Sequence, residues 1–369
     1  MAAGADKHRG MLLRVMLVLA ATGLVAWPGD LGSPVALSAP GMPAPAPSAL
    51  ARRIEALGLG FDGHVGIAVI DLQDGRTAAW NGEDRFSQES VAKLWTVVAA
   101  LVAVDDGRLA VDERIVVTQA DLSVFHEPLE FRLGRHGYPA SIAELIRAAI
   151  VDSDNAANDL LVRRLGGTAA VQAAIRRKEI RGVVAGIQQR ELQARIAGLR
   201  WRPELDGGQR LEAARARLDP QVREAAMQSY LARPDDAATP MATARALKAL
   251  YEGRLLSAES TGRLLRLMHS TVHGEERLSG ALPAGWTLAH KTGTGQHLGA
   301  LQVGTNDVGV LTAPDGHAYA AAVFVGASTR PLYIGEGLMR QVARAIVEQW
   351  QAGGRRGANS EDARKAGTG

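Results

Sequence analysis

Cysteine is absent from all 369 residues. Its absence excludes disulfides, thiolate chemistry, cysteine-ligated zinc and a lipidated bacterial-type N-terminus. Aromatic residues make up only 4% of the chain and do not interleave with the basic ones, and a net charge of +3 is thin over this length. A nucleic-acid partner is therefore not expected. The nine histidines form no H-E-x-x-H pattern, so neither a metal nor a cofactor is expected. Lysine is scarce as well. Of 42 Lys and Arg residues only six are lysine: Lys7, Lys93, Lys178, Lys248, Lys291 and Lys365. Arginine cannot be deprotonated in a protein, whereas a partly buried lysine can give up its proton and act as a base. The few lysines that remain therefore repay inspection, and two of them fall in motifs.

What is present fits a soluble globular chain with one large domain or two interleaved ones: 47% hydrophobic, 22% charged, 41 Gly and 15 Pro. Lys7, Arg9 and Arg14 precede an apolar run from 15 to 27, and small residues follow up to Ala39. The run is too short for a membrane span. Residues 1–39 read as a signal peptide, which makes the mature protein periplasmic or secreted, with no stable span after processing. Residues 40–48 are a Pro/Ala-rich extended linker, and 352–369, rich in Gly, Ser and charge, a disordered tail. No internal repeat is present, so the folded unit runs from 49 to 351.

Within it the pattern predicts a short helix over 49–57 and strands over 64–71 and 77–80, joined by an Asp74-Gly75 turn. From 87 to 269 the periodicity is helical, broken by loops near 120–139 and 200–210. Strands return over 286–290, 307–312 and 317–326, with Pro314-Asp315-Gly316 turning the last pair. An amphipathic helix over 333–350 closes the unit. Strands from both ends must share one sheet, giving an α/β (α+β) fold. Its α/β lobe is 49–86 plus 270–351, its all-helical lobe is 87–269, and the site lies in the cleft between them.

Three short stretches carry chemistry. Ser90 and Lys93 sit three apart at a helix start, where one face presents both, and Ser87 is the expected N-cap. A serine there beside a lysine has the parts of an activated nucleophile. Ser153-Asp154-Asn155 joins helices over 142–150 and 156–165, where Asp and Asn also serve as ordinary caps. Lys291-Thr292-Gly293-Thr294 leaves an apolar strand, and its glycine lets a ligand approach the backbone. His290 and His297 flank this third stretch without an assigned role.

Taken together, Ser90-x-x-Lys93, Ser153-Asp154-Asn155 and Lys291-Thr292-Gly293 resemble the class A serine β-lactamases and penicillin-binding proteins in order and spacing. Asp106-Gly107-Arg108-Leu109, Ala281-Leu282-Pro283-Ala284-Gly285-Trp286 and Thr305-Asn306-Asp307-Val308 extend the resemblance over nearly all of the folded part. It implies a β-lactamase/DD-peptidase-like antiparallel sheet flanked by helices, plus a helical lobe. Implied roles are Ser90 as nucleophile, Lys93 as its base, Ser153 as proton relay and Lys291 as the group that polarises the relay and binds a substrate carboxylate. Asn155 would orient the substrate amide and Lys93. Thr292 and Gly293 would line the substrate, and the N–H groups of Ser90 and Thr294 would form an oxyanion hole. Phe125 is either the aromatic at the cleft mouth or an ordinary loop anchor.

The family departs from this chain at one place. Its deacylation loop reads Trp-Glu-Pro-Glu-Leu-Asn, and the first Glu and the Asn hold the hydrolytic water. The counterpart by eye is Trp201-Arg202-Pro203-Glu204-Leu205-Asp206, which puts Arg202 at the base and Asp206 at the Asn. Glu204, Asp206, Glu191 and Glu212 are the alternative bases, because the segment 186–238 is longer than usual and its register is open. The resemblance implies an exported monomer that opens β-lactams through an acyl-enzyme on Ser90. The alternatives are a DD-peptidase or esterase relative acting on peptidoglycan-like substrates, or a β-lactam sensor that stays acylated.

Overall fold

The computed structural model describes residues 47–205 and 208–366, with side chains as far as 353. The signal segment over 1–39, most of the linker over 40–48 and Asp206 lie outside the described residues. The chain opens with α1 (Ala49–Leu59), capped by Ser48, whose hydroxyl accepts the N–H of Ala51 at 3.0 Å. β1 (Val65–Asp71) and β2 (Thr77–Trp80) follow as an antiparallel pair. A 3-10 turn, Glu89–Val91, leads into α2 (Ala92–Asp105), and every residue of α2 from Ala92 to Ala103 is buried. A helix apolar on all sides belongs in a core. Next come β3 (Arg114–Val117) and β4 (Tyr138–Ser141), then α3 (Ile142–Ile150), α4 (Asn155–Arg164) and α5 (Thr168–Arg177). α6 (Gln189–Ile196), α7 (Gly208–Ala216), α8 (Pro220–Ala232), α9 (Pro240–Tyr251) and α10 (Ala258–His269) complete the helical region. The chain then returns through β5 (Thr287–Thr294), β6 (His297–Leu298), β7 (Leu301–Gln302), β8 (Thr305–Thr312) and β9 (Ala318–Val325) to α11 (Leu332–Ala366).

Five strands form one antiparallel sheet in the order β2-β1-β9-β8-β5. The first and last strands pair because both are buried along their whole length, so each needs cover on both faces. Alternation along β9 divides the labour, as the two-residue period of a strand requires. Tyr319, Ala321 and Val323 pack with α1 and α11, through Leu57, Met339, Val342 and Ile346. Ala320, Ala322 and Phe324 face the helical region, through Leu94, Ala244 and Leu247.

Three local expectations change. Ser87 does not cap α2; a 3-10 turn with Gln88 at its cap position precedes the helix. β3 and β4 form a two-stranded ribbon inside the stretch that reads as helix and loop; four-residue strands are too short to display a period against their surroundings. α11 runs on through Ala366, where the sequence pattern places a tail from 352; no proline follows to stop it. Among the described residues no helix is long and apolar enough to cross a membrane.

Candidate active site

The turn that carries Ser90 is held from a distance. The Asp236 carboxylate accepts the N–H groups of Gln88 at 3.1 Å and Glu89 at 2.8 Å, doing what the Ser87 hydroxyl was expected to do. The Gln88 side chain donates to the carbonyls of Val184 and Asp236 and accepts from the Trp95 indole at 2.7 Å. Asn306 of β8 donates to the carbonyls of Ser87 and Gln88. Three non-glycine residues around Ser90 take left-handed backbone: Glu89 at φ 53°, Phe125 at 64° and Ser153 at 57°. Such conformations persist only where their surroundings over-determine them, and they cluster at working sites.

Ser90 is half-buried, and the Lys93 ammonium nitrogen donates to its Oγ at 2.8 Å. Lys93 also reaches Ser153 Oγ, at 3.4 Å, and Lys291 Nζ donates to the same oxygen at 3.0 Å. Ser153 thus sits between two lysines, both wholly buried. Burial disfavours charge on an amine. It lowers Lys93 to about 8, against the opposing pull of Asp154, Asp159 and Glu89. Burial also takes Lys291 well below its ordinary value, and the neighbouring positive charges of Lys93 and Arg277 add to the effect. Burial, with the Asp236 carboxylate beside it, pushes Glu89 up to about 8.

The second and third motifs arrive on different elements. Asp154 caps α4, accepting the Ala157 N–H at 2.7 Å and, on its other oxygen, that of Leu129 at 2.6 Å. Asn155 begins the helix and donates to the Val124 carbonyl at 2.6 Å. Lys291, Thr292, Gly293 and Thr294 form the end of β5, the edge strand of the sheet, rather than a turn beyond it. Gly293 passes the nucleophile turn so closely that an added Cβ would lie 2.5 Å from the Gln88 carbonyl oxygen. Only glycine allows that approach.

A cavity of about 410 Å³ opens on Ser90. Phe125, Asn155 and Thr294 line it; Lys93, Ser153, Lys291, Thr292 and Gly293 lie buried behind its wall. His290 is withdrawn into a hydrogen bond with the Asp307 carboxylate, 2.8 Å apart, while His297 and His126 reach the cavity. A larger cavity of about 550 Å³ lies between α1 and α11 and offers no serine or lysine.

The deacylation loop is where the sequence register fails. Arg202 and Glu204 are exposed, in or beside a 3-10 turn over Pro203–Leu205, and neither lines the Ser90 cavity. Glu191 is also turned away, lining another cavity with Arg195 and Trp201. The α6 residues that line the cavity with Ser90 are Gln189 and Gln193. Asp159 on α4 fixes that helix start, accepting the N–H groups of Gln189 at 2.5 Å and Arg190 at 3.0 Å. Gln189-Arg190-Glu191-Leu192-Gln193 keeps the Glu-Leu centre of the family phrase with glutamine at both ends. That was the available signal, hidden by the better-looking Trp201-x-Pro203-Glu204-Leu205. Of the alternative bases among the described residues, Glu212 alone lines the cavity, paired with Arg215 at 2.8 Å.

Arg277 had no signal at all. It is buried, donates to the carbonyls of Gly293 and Asn306, and meets Thr294 Oγ1 at 2.6 Å. It sets a fixed positive charge at the end of β5, where an anionic ligand group would be attracted.

The family model Beta-lactamase2, the beta-lactamase enzyme family, matches residues 49–350. The extended-spectrum beta-lactamase PER-1 of Pseudomonas aeruginosa is 28% identical over 302 residues, 81% of this chain and 86% of its own. The crystal structure of a beta-lactamase from Chitinophaga pinensis superposes with a TM-score of 0.67 at 28% identity, over 82% of this chain and 99% of that one. An ancestral class A beta-lactamase does so at 0.63 and 30%, over 81% and 99%. With a matching model over the whole folded part and class A enzymes as relatives in both sequence and structure, the chain belongs to the beta-lactamase enzyme family, on its class A branch.

Proposed function

We propose that the protein opens β-lactam rings through an acyl-enzyme on Ser90. The observation that carries this is the 2.8 Å contact between Ser90 Oγ and a wholly buried Lys93 lowered to about 8. A neutral Lys93 takes the hydroxyl proton as Ser90 attacks the lactam carbonyl carbon. The developing oxyanion is met by the N–H groups of Ser90 and Thr294. As the C–N bond breaks, Ser153 passes a proton to the leaving nitrogen, with Lys291 3.0 Å from its oxygen to hold it polarised. Asn155 orients the substrate amide, and Thr292, Gly293 and Arg277 favour the substrate carboxylate at the strand end.

The test is intact mass after exposure to a penicillin. One adduct is expected on the parent and none on Ser90→Ala; an undiminished adduct on that variant would contradict the assignment. Lys93→Arg keeps the charge but cannot act as a base, so its acylation should fall by about 10²–10⁴-fold.

A second reading has its own support. The α6 side chains lining the cavity with Ser90 are amides, which cannot accept a proton from water, and among the described residues the one carboxylate lining it is already paired with Arg215. Hydrolysis of the ester is then slow, and the protein works as a poor turnover enzyme or as a sensor that stays acylated. A chromogenic cephalosporin distinguishes the two, by steady colour or by one stoichiometric burst. We further propose export to the periplasm or medium, on the basic and apolar pattern of residues 1–39. N-terminal sequencing of the exported fraction should begin between 29 and 49, and a return of Met1 would contradict it.

A further inference from the structure

The Ser90 cavity contains a charged pair that the acylation chemistry does not use. Arg215 and Glu212 both come from α7, in the segment whose length exceeds the family pattern, and both line the cavity with Ser90 and Phe125. Arg215 is 9% exposed. One guanidinium nitrogen, Nη1, donates to Gln296 Oε1 at 3.0 Å, and Nη2 donates to Glu212 Oε1 at 2.8 Å. Gln296 is itself buried and fixed by two hydrogen bonds of 2.8 Å to Gln193. Nε has no hydrogen-bond partner, and the Phe125 ring centre lies 5.9 Å from the guanidinium carbon.

The two partners are held unequally. Arg215 is enclosed and anchored, whereas the Glu212 side chain is 51% exposed. Glu212 can turn to water at little cost; Arg215 cannot leave. A buried guanidinium with an exchangeable carboxylate on its fork is suited to take a carboxylate from a ligand instead, since planar two-pronged recognition is what arginine offers. We propose that Arg215 and Glu212 form a second charged subsite of the cavity, which accepts a carboxylate carried on the acylamino side chain of a β-lactam. This rests on the reading that Ser90 is acylated by lactams. Arg277 at the end of β5 serves the ring carboxylate; Arg215, anchored through Gln296 to α6, serves a second one. Glu212 acts as a placeholder that neutralises the site when empty and disfavours neutral side chains by keeping its own bond.

The experiment compares second-order acylation rates of benzylpenicillin with those of its α-carboxy and α-amino derivatives, read by intact mass. It is run on the parent, Arg215→Gln and Glu212→Gln. The ratio of the α-carboxy rate to the unsubstituted rate is taken within each protein, which cancels any general loss of activity. Arg215→Gln should lower that ratio about tenfold, the scale of one lost charge-assisted hydrogen bond. Glu212→Gln should raise it and lower the corresponding α-amino ratio. A ratio within twofold of the parent in Arg215→Gln would overturn the subsite. Should that variant fail to fold, Glu212→Gln decides alone, and an unchanged or lowered ratio overturns the proposal. No adduct from any of the three penicillins would overturn the Ser90 reading and the subsite with it, whereas adducts with unchanged ratios overturn the subsite only.

Discussion

In the proposed reaction two lysines and two serines make a proton path without histidine, because burial lowers both amines. Lys93 at about 8 is protonated in most molecules at pH 6 and neutral in most at pH 9. The neutral form is the base, so the acylation rate should rise with pH through about 8 and then level. Rates of adduct formation measured from pH 6 to 9 test this, and a flat profile would mean that Lys93 is not the base. The scarcity of lysine made Lys93 and Lys291 legible before any fold was known, since the chain spends arginine elsewhere. Gln189 was not legible, because a glutamine advertises no chemistry until its place in the Ser90 cavity is seen. Arg277 was invisible for a related reason. One arginine among many acquires meaning only when the fold sets it against Gly293 and Thr294.

At the level of elements, two buried aspartates hold the parts of the site by accepting backbone N–H groups across long sequence separations. Asp236 fixes the turn that carries Ser90, and Asp159 fixes the start of α6 that carries Gln189. Local caps such as Ser48 and Ser141 keep acceptor and donor within three residues, the only range that sequence reasoning covers. Such reasoning has no access to a cap 148 residues away, which is why Ser87 was given a role that Asp236 performs. Asp159 also accepts from the Ser123 hydroxyl at 2.9 Å and from Asn158 at 3.1 Å. Asp159→Ala would strand these donors in the interior, at a cost on the order of 3 kcal/mol. Urea denaturation of the variant measures it, and a loss below about 1 kcal/mol would mean that water replaces the carboxylate.

For the molecule as a whole, the sheet explains why three motifs far apart in sequence meet. β1 and β9 pair at the centre, β5 becomes the outer edge, and Gly293 on that edge meets the turn before α2. Alternating strands at both ends and a helical middle made this architecture legible, and the spacing of the three motifs located the cleft. The register of the 186–238 segment was not legible, because helices α7 and α8 lengthen the stretch and the residues around Trp201 imitate the expected phrase. The central claim is that Ser90 is acylated while the α6 side chains sharing its cavity are amides that cannot activate water. Time-resolved intact mass of the parent and Gln189→Glu, after one penicillin pulse, tests it most directly. The parent should hold a single adduct on Ser90 that decays slowly. Gln189→Glu should shorten its lifetime by about 10²–10⁴-fold, the usual contribution of a general base. An absent adduct, or a lifetime that the variant leaves unchanged, would contradict the account.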